Sequence, residues 1–332
     1  VSLSFCLLLF VSVCSRTGCK RISSAKPFKR ATTHGPRRHL TRRLSPSLSL
    51  SLMAHLPRKV ATFRRTHNFN ASNFLTLTNP KVFKSASVLD APTAVLHLMP
   101  SDRVCPFAGS CAALCLNRAG NPAYLKGKLK ARARRTNAFF ADREGFMQTL
   151  LIEIVRFVEK NRAATYRGLR LNGTSDIRWE CEPVTVDAEL SSFLLSTFQT
   201  TISPGTYRNV FQILPFLNAT CFAYDYTKRT DRDLDVARQD DYHLTMSWGS
   251  TADTLTYAIE NGLNIAAPLK GIKRSEALPD VITVNGHRLP VLDGDVTDWR
   301  PGDDCSQTHI VGLRLKRVPG MTTEQIDAFC LA

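Results

Sequence analysis

The chain has 332 residues, 43% of them hydrophobic, with 44 Lys and Arg against 28 Asp and Glu for a net charge of +16. Those values exclude a chain disordered throughout, a collagen-like repeat and a multi-pass membrane protein, and they leave ample apolar material for a buried core. Residues 1–52 carry ten basic residues, from Arg16 to Arg43, and no acid. The remainder is only mildly basic, so nucleic acid is a possible but disfavoured partner, and the basic run Lys126, Lys128, Lys130, Arg132, Arg134, Arg135, through which it would bind, reads first as a solvated helix face.

The leader starts on Val1, is apolar to Cys14, becomes Arg- and Ser-rich, and ends in a Leu/Ser/Pro repeat before Met53. It reads as an organelle transit peptide, a secretory signal, or translated upstream sequence with the true start at Met53, the last being preferred; an acid-free, Arg-rich segment suits a transit peptide better than a signal. The apolar stretch falls short of the roughly 20 residues that span a bilayer, so no membrane anchor is expected. A disordered basic leader over 1–66 and a single α/β domain over 67–332 follow.

In chain order, Phe74 to Thr78 alternates like a strand, and Thr93 to Met99 gives a second β-rich run ended by Pro100. Lys126 to Asn161 reads as a long helix broken near Gly145, with Phe146, Leu150, Ile154 and Phe157 at helical spacing as a core stripe. Strands are expected over Arg167–Leu171, Cys221–Thr227, Tyr242–Met246 and Gly262–Ala267, with helices near Asp187–Phe198 and Thr251–Asn261 between them. Alternation of this kind implies parallel strands with crossover helices, and the expected fold is an incomplete parallel (β/α) barrel-like domain. Val281–Val284, the Asn285-Gly286 turn, Leu289–Leu292 and Ile310–Leu315 close the chain as further strands.

Ten cysteines are present, three of them in the leader; seven remain, and three of those cluster as Cys105-x5-Cys111-x3-Cys115. In a domain this large a tight trio reads as a metal or cluster site in a reducing compartment, expected to be the cytoplasm, or an organelle if the leader is a transit peptide. Soft thiolates suit an iron–sulfur cluster or zinc, zinc needing a fourth ligand such as His97, Cys181, Cys221 or Cys305; close packing as small apolar groups is the bland alternative. The triplets at Asn70, Asn172 and Asn218 are then chance matches to a short glycosylation pattern.

Strand ends in parallel sheets carry ligand sites. On that ground Asp176, Asp225 and Lys228 are the candidate catalytic residues, and Asn172, Ser175 and Ser247, with Asp293 and Asp295 of an acidic cluster near the last strands, are candidates for binding a cofactor. Ser175 or Asp176 could equally cap the next segment, and Asp293-Gly294 could be a tight turn. Neither that cluster nor the Asp231, Asp233, Asp235 run has the spacing of a calcium loop, and no Walker loop, dinucleotide fingerprint or nucleophile elbow is present.

Taken together, Cys105 to Gly120, Asn137-Ala138-Phe139-Phe140, Asp142 to Phe146, Arg170 to Ile177, Tyr224 to Lys228 and Pro290 to Asp295 resemble the phage gene-product-88 family over roughly residues 68–317. The resemblance implies a grouping and carries no established activity; the basic leader and the inserted Gly286-His287-Arg288-Leu289 depart from it. A more distant architectural similarity is to radical S-adenosylmethionine enzymes, where three cysteines after an early barrel strand bind a four-iron cluster whose open iron takes S-adenosylmethionine; their usual spacing, C-x3-C-x2-C, is not met here. The expected function is an iron–sulfur-dependent enzyme of that kind, against a zinc-stabilised, non-enzymatic binding module.

Overall fold

The computed structural model describes residues 56–69, 74–77, 87–112, 115, 122–217, 219–249, 252–273, 275–315 and 322–331. The leader to Met53, the Asn117–Asn121 segment and the triplets at Asn70 and Asn218 lie outside them.

The strands are β1 (Leu75–Thr76), β2 (Thr93–Leu96), β3 (Gly168–Arg170), β4 (Val184–Val186), β5 (Gly205–Tyr207), β6 (Phe222–Thr227), β7 (Tyr242–Ser247), β8 (Ile265–Leu269), β9 (Val281–Val284), β10 (His287–Asp293) and β11 (Ile310–Arg314). The helices are α1 (Arg58–Thr66), α2 (Pro122–Ala141), α3 (Arg143–Lys160), α4 (Ala188–Phe198), α5 (Leu234–Gln239), α6 (Ala252–Glu260) and α7 (Thr323–Phe329). Nine strands form one sheet in the order β1-β2-β3-β6-β7-β8-β11-β10-β9. Every pairing from β2 to β10 is parallel, and both outer pairs are antiparallel. The fold is thus mixed α/β with a large, mostly parallel sheet. Among the described residues the ladder ends at β1 and β9, with no pairing that closes a barrel.

From β2 to β8 each new parallel strand is added on the same side of the last, and right-handed crossovers then carry the connecting helices to one face. That face holds Ala94, Leu96, Leu169, Ala223, Leu244, Met246 and Ile265 in the main core with the apolar stripe of α3. Each such side chain contributes roughly 1.5–3 kcal/mol on burial. The expected long helix breaks at Asp142, three residues before Gly145, because the Asp142 carboxylate accepts from Gly145 N at 2.9 Å and starts α3 afresh. Asp187 caps α4 in the same way.

Residues 58–66, grouped with the leader by composition, form α1, whose Val60 and Phe63 are buried against α3. Phe63, Phe74, Phe139 and Phe146 join there in edge-to-face and tilted contacts with centroids 4.8–6.2 Å apart. Arg64 and Glu153, both buried, pair at 3.0 Å beneath them. The small hairpin of β4 and β5 forms a second sheet. The opposite face of the main sheet is crossed by the loop from β10 to β11, where Trp299 packs 5.5 Å from both Phe222 and Tyr224.

Candidate functional site

The carboxyl end of β2 leads directly into the thiol loop. Backbone turns from Ser101 O to Val104 N (3.0 Å) and Cys105 N (2.8 Å) fold it back, and a 3-10 turn over Gly109–Ala112 carries Cys111. The loop is stitched to the segment after β3: Asp176 N donates to Val104 O at 2.6 Å, and Cys105 Sγ donates to Thr174 O at 3.8 Å. Gly173 sits so close beneath that a Cβ there would lie 2.6 Å from His97 Nδ1 and 2.5 Å from Val95 Cγ1.

Cys105, Cys111 and Cys115 are all outside any disulfide, each half-buried. Burial pushes the Cys105 thiol up to about 12, with Asp176, Cys115 and Cys111 adding to the rise. Burial also raises Cys111, opposed by Lys228, whose own ammonium is pushed down by burial and held up by Cys111 and Asp176. The three sulfurs therefore lie within electrostatic reach of one another, with Lys228 beside Cys111 and with Lys128 and Arg132 beside Cys115. Among the described residues no three of His, Cys, Asp and Glu are gathered as a metal-binding group.

Around the thiols, the predicted polar residues converge as a loop-holding network. Asn172 Oδ1 accepts from Ser175 Oγ, Ile177 N and Trp179 Nε1 at 2.9–3.0 Å, and its Nδ2 donates to Ile177 O. Asp176 accepts from Thr227 Oγ1 and Lys228 N, each at 2.8 Å, and from Arg232 Nη2 at 2.7 Å. Asp225, wholly buried, accepts from Leu171 N, Asn172 N and Tyr242 Oη, all at 2.9 Å. Burial pushes its carboxyl up to about 6 against the pull of Arg170 and these donors. Lys228 Nζ donates to Trp248 O, tying the ends of β6 and β7 together beside Ser247.

Asp293 and Asp295 stand elsewhere. They close on Arg314 at 3.1 and 3.2 Å at the ends of β10 and β11, three strands and more along the sheet from β6. Sequence reasoning missed Arg232 and Glu180, which pair at 2.7 Å in the interior with no exposed side-chain surface on either. Arg232 lies in an acidic run, and nothing in its spacing distinguishes it from a surface charge. The basic run on α2 is likewise less exposed than composition suggests: Arg132 is buried, and the Arg134 guanidinium sits 4.8 Å over the Phe69 ring.

The gene product 88 family model matches residues 64–330, most of the chain. The chain belongs to the gene product 88 family. No curated protein and no solved structure matches it, so the similarity to radical S-adenosylmethionine enzymes gains no support from either. In this gene product 88 chain no helix among the described residues is long and apolar enough to cross a membrane.

Proposed function

We propose that Cys105, Cys111 and Cys115 bind one iron–sulfur cluster at the carboxyl end of the parallel sheet, and that the chain is an enzyme working on a small molecule there. The observation that carries this reading is three thiols outside any disulfide and within mutual electrostatic reach, bordered by the cations of Lys228, Lys128 and Arg132. The donors fit in chemical kind: soft sulfur ligands suit iron–sulfur or zinc, and neighbouring cations offset the thiolate charge that burial opposes at Cys105 and Cys111. A bound cluster would supply redox chemistry at an iron left open by the three-cysteine set. Asn172, Ser175 and Asp225 hold the loop that receives it, Asp176 orients the backbone at Lys228, and the Lys228 Nζ proton and Ser247 hydroxyl face the bound molecule. On this reading the parallel strands curve as an incomplete barrel, S-adenosylmethionine is the cofactor expected at the open iron, and a reducing cytoplasm keeps the thiols available.

A zinc-stabilised binding module is the second reading. It is favoured by the full hydrogen-bond commitment of Asp176 and Asp225, which leaves neither carboxylate idle for proton transfer. Anaerobic purification with iron, sulfide and zinc analysis decides between them. A brown protein with iron and sulfide that are lost in Cys111→Ser supports the cluster, one colourless equivalent of zinc supports the module, and metal content unchanged by Cys111→Ser overturns both.

A further inference from the structure

The positive charge of the chain after Met53 is concentrated in one stretch. Residues 53–141 hold fourteen Lys and Arg against two acids, Asp90 and Asp102, whereas residues 142–332 hold twenty against twenty-six. A net +12 thus adjoins a net −6. A division of that size within one chain points to a polyanionic partner for the basic part.

On α1, Arg58, Lys59 and Arg64 are matched by Glu189, Glu144 and Glu153. On α2, six cations follow one another within ten residues, and the helix contains no acid. At 3.6 residues per turn, Lys126, Lys130 and Arg134 fall on one side of α2, with Lys128, Arg132 and Arg135 on the other. The second set faces inward: Arg132 is buried, and one turn further on Thr136 Oγ1 accepts from Met99 N at 2.7 Å, at the end of β2. The first set faces outward, with Lys126 and Lys130 exposed. Arg134 ends this row 4.8 Å over the Phe69 ring, and Phe69 N donates to Arg64 O at 2.7 Å. The row therefore runs up to the last turn of α1, where Arg65 is exposed. Positive charge is dense enough here that Arg135 is pushed down to about 10, by burial first and then by Arg134 and Arg132.

A nucleic-acid backbone suits the row better than other polyanions do. Successive cations stand about 6 Å apart along α2, and a duplex carries one phosphate charge per about 1.7 Å of its axis, so each cation meets phosphate in any register. Firm seating on a bilayer needs an apolar face beside the cations. Both helices bury theirs in the core, through Val60, Phe63, Ala138 and Phe139. The negative charge of residues 142–332 repels a polyanion from the rest of the surface and leaves this face to receive it.

We propose that the outer face of α2, formed by Lys126, Lys130 and Arg134, with Arg65 at the end of α1, binds the phosphate backbone of a nucleic acid. It lies across α2 from the cations beside the thiols, and stands whether or not the thiols hold a metal.

Fluorescence anisotropy of the full chain with labelled single-stranded DNA, duplex DNA and RNA of one length, from about 50 to about 200 mM salt, tests the proposal. At least one is expected to saturate, and the tightest identifies the source of the phosphates. Lys126→Gln with Lys130→Gln is expected to weaken binding about tenfold or more and to reduce the slope of log affinity against log salt by about 2, each single variant giving about half of that change. Lys160→Gln with Lys273→Gln removes the same charge from outside the basic stretch and leaves the residues before Met53 equally intact. That pair is expected to bind like the wild type. Saturation by none of the three nucleic acids, equal losses in the two double variants, or tighter binding to phosphatidylserine vesicles or polyglutamate than to every oligonucleotide overturns it.

Discussion

Arg232 donates from Nη2 to Asp176 Oδ1 at 2.7 Å with none of its side chain exposed, and this bond is one of several that join the segment after β6 to the loop that seats the thiols. The same guanidinium donates to Glu180 Oε2 at 2.7 Å, to Ile177 O at 2.9 Å and to Thr227 Oγ1 at 3.0 Å. Arg232→Ala strands two carboxylates in the interior, and breaking a buried pair in this way costs about 3–5 kcal/mol. Arg232→Lys is expected to recover only part, since an ammonium cannot reproduce the planar fork. Urea unfolding at neutral pH reads both; a loss below about 1 kcal/mol in the alanine variant contradicts the network's role.

Asp225 sets a pH dependence. Its folded carboxyl is raised to about 6 from an ordinary 3.8, so the folded state binds its proton more tightly than the unfolded chain does. Stability tied to this group is then full below about pH 4 and is lost as pH rises through about 6, by about 3 kcal/mol for a two-unit shift. Asp303, raised to about 6 by burial, adds a slope in the same window. The diagnostic quantity is therefore the difference between wild type and Asp225→Asn, which should narrow between pH 4 and 6 and stay constant above 7. A constant difference throughout would place the ionisation outside this range.

Gly145 and Gly127 make opposite predictions for the same substitution. A Cβ at Gly145 would lie 2.5 Å from the capping Asp142 carboxylate and 2.9 Å from Phe63 Cβ, whereas one at Gly127 meets nothing within 4 Å. Gly145→Ala is expected to cost about 1–3 kcal/mol by overpacking and loss of the α3 cap. Gly127→Ala, on the exposed side of α2, should gain up to about 1 kcal/mol through helix propensity. Parallel thermal melts compare the two, and equal effects would show that neighbouring side chains absorb the extra methyl at residue 145.

The parts of this fold legible in the sequence are those written in short-range patterns. The stripe Phe146, Leu150, Ile154, Phe157 gives α3, the Asn285-Gly286 turn gives the β9–β10 hairpin, and β-rich runs give β2, β6 and β7. Strand order was not legible: β11 inserts between β8 and β10 through pairings such as Ile310 with Ile265, and no local signal encodes that. The site divides the same way. Asn172, Ser175, Asp176, Asp225 and Lys228 converge because all lie at the ends of neighbouring strands, a rule of parallel sheets. Asp293 and Asp295 obey the same rule at the far side of the sheet, where Arg314 occupies them. Arg232 and Glu180 were invisible because their value lies in burial, which a charged letter in a polar run conceals. His243 and Thr245 read as the polar half of an alternating strand, and only the sheet shows that His243 Nε2 and Thr245 Oγ1 are buried.

Cys105 offers a readout of the thiol loop in the metal-free chain. With its thiol pushed up to about 12 by burial and by Asp176, almost none is thiolate at pH 8. Alkylation requires the thiolate, so Cys105 should react with iodoacetamide on the order of 1000-fold more slowly than an ordinary exposed thiol. Cys181, exposed on the surface, supplies the internal reference. Asp176→Asn removes the nearby charge that the Cys105 thiolate would face, and is expected to speed Cys105 alkylation while leaving Cys181 unchanged. Peptide mapping after timed quenching measures both. Equal rates at Cys105 and Cys181 in the wild type would mean that the loop opens faster than it is modified, and that the seat formed by Thr174 and Asp176 does not hold the sulfur.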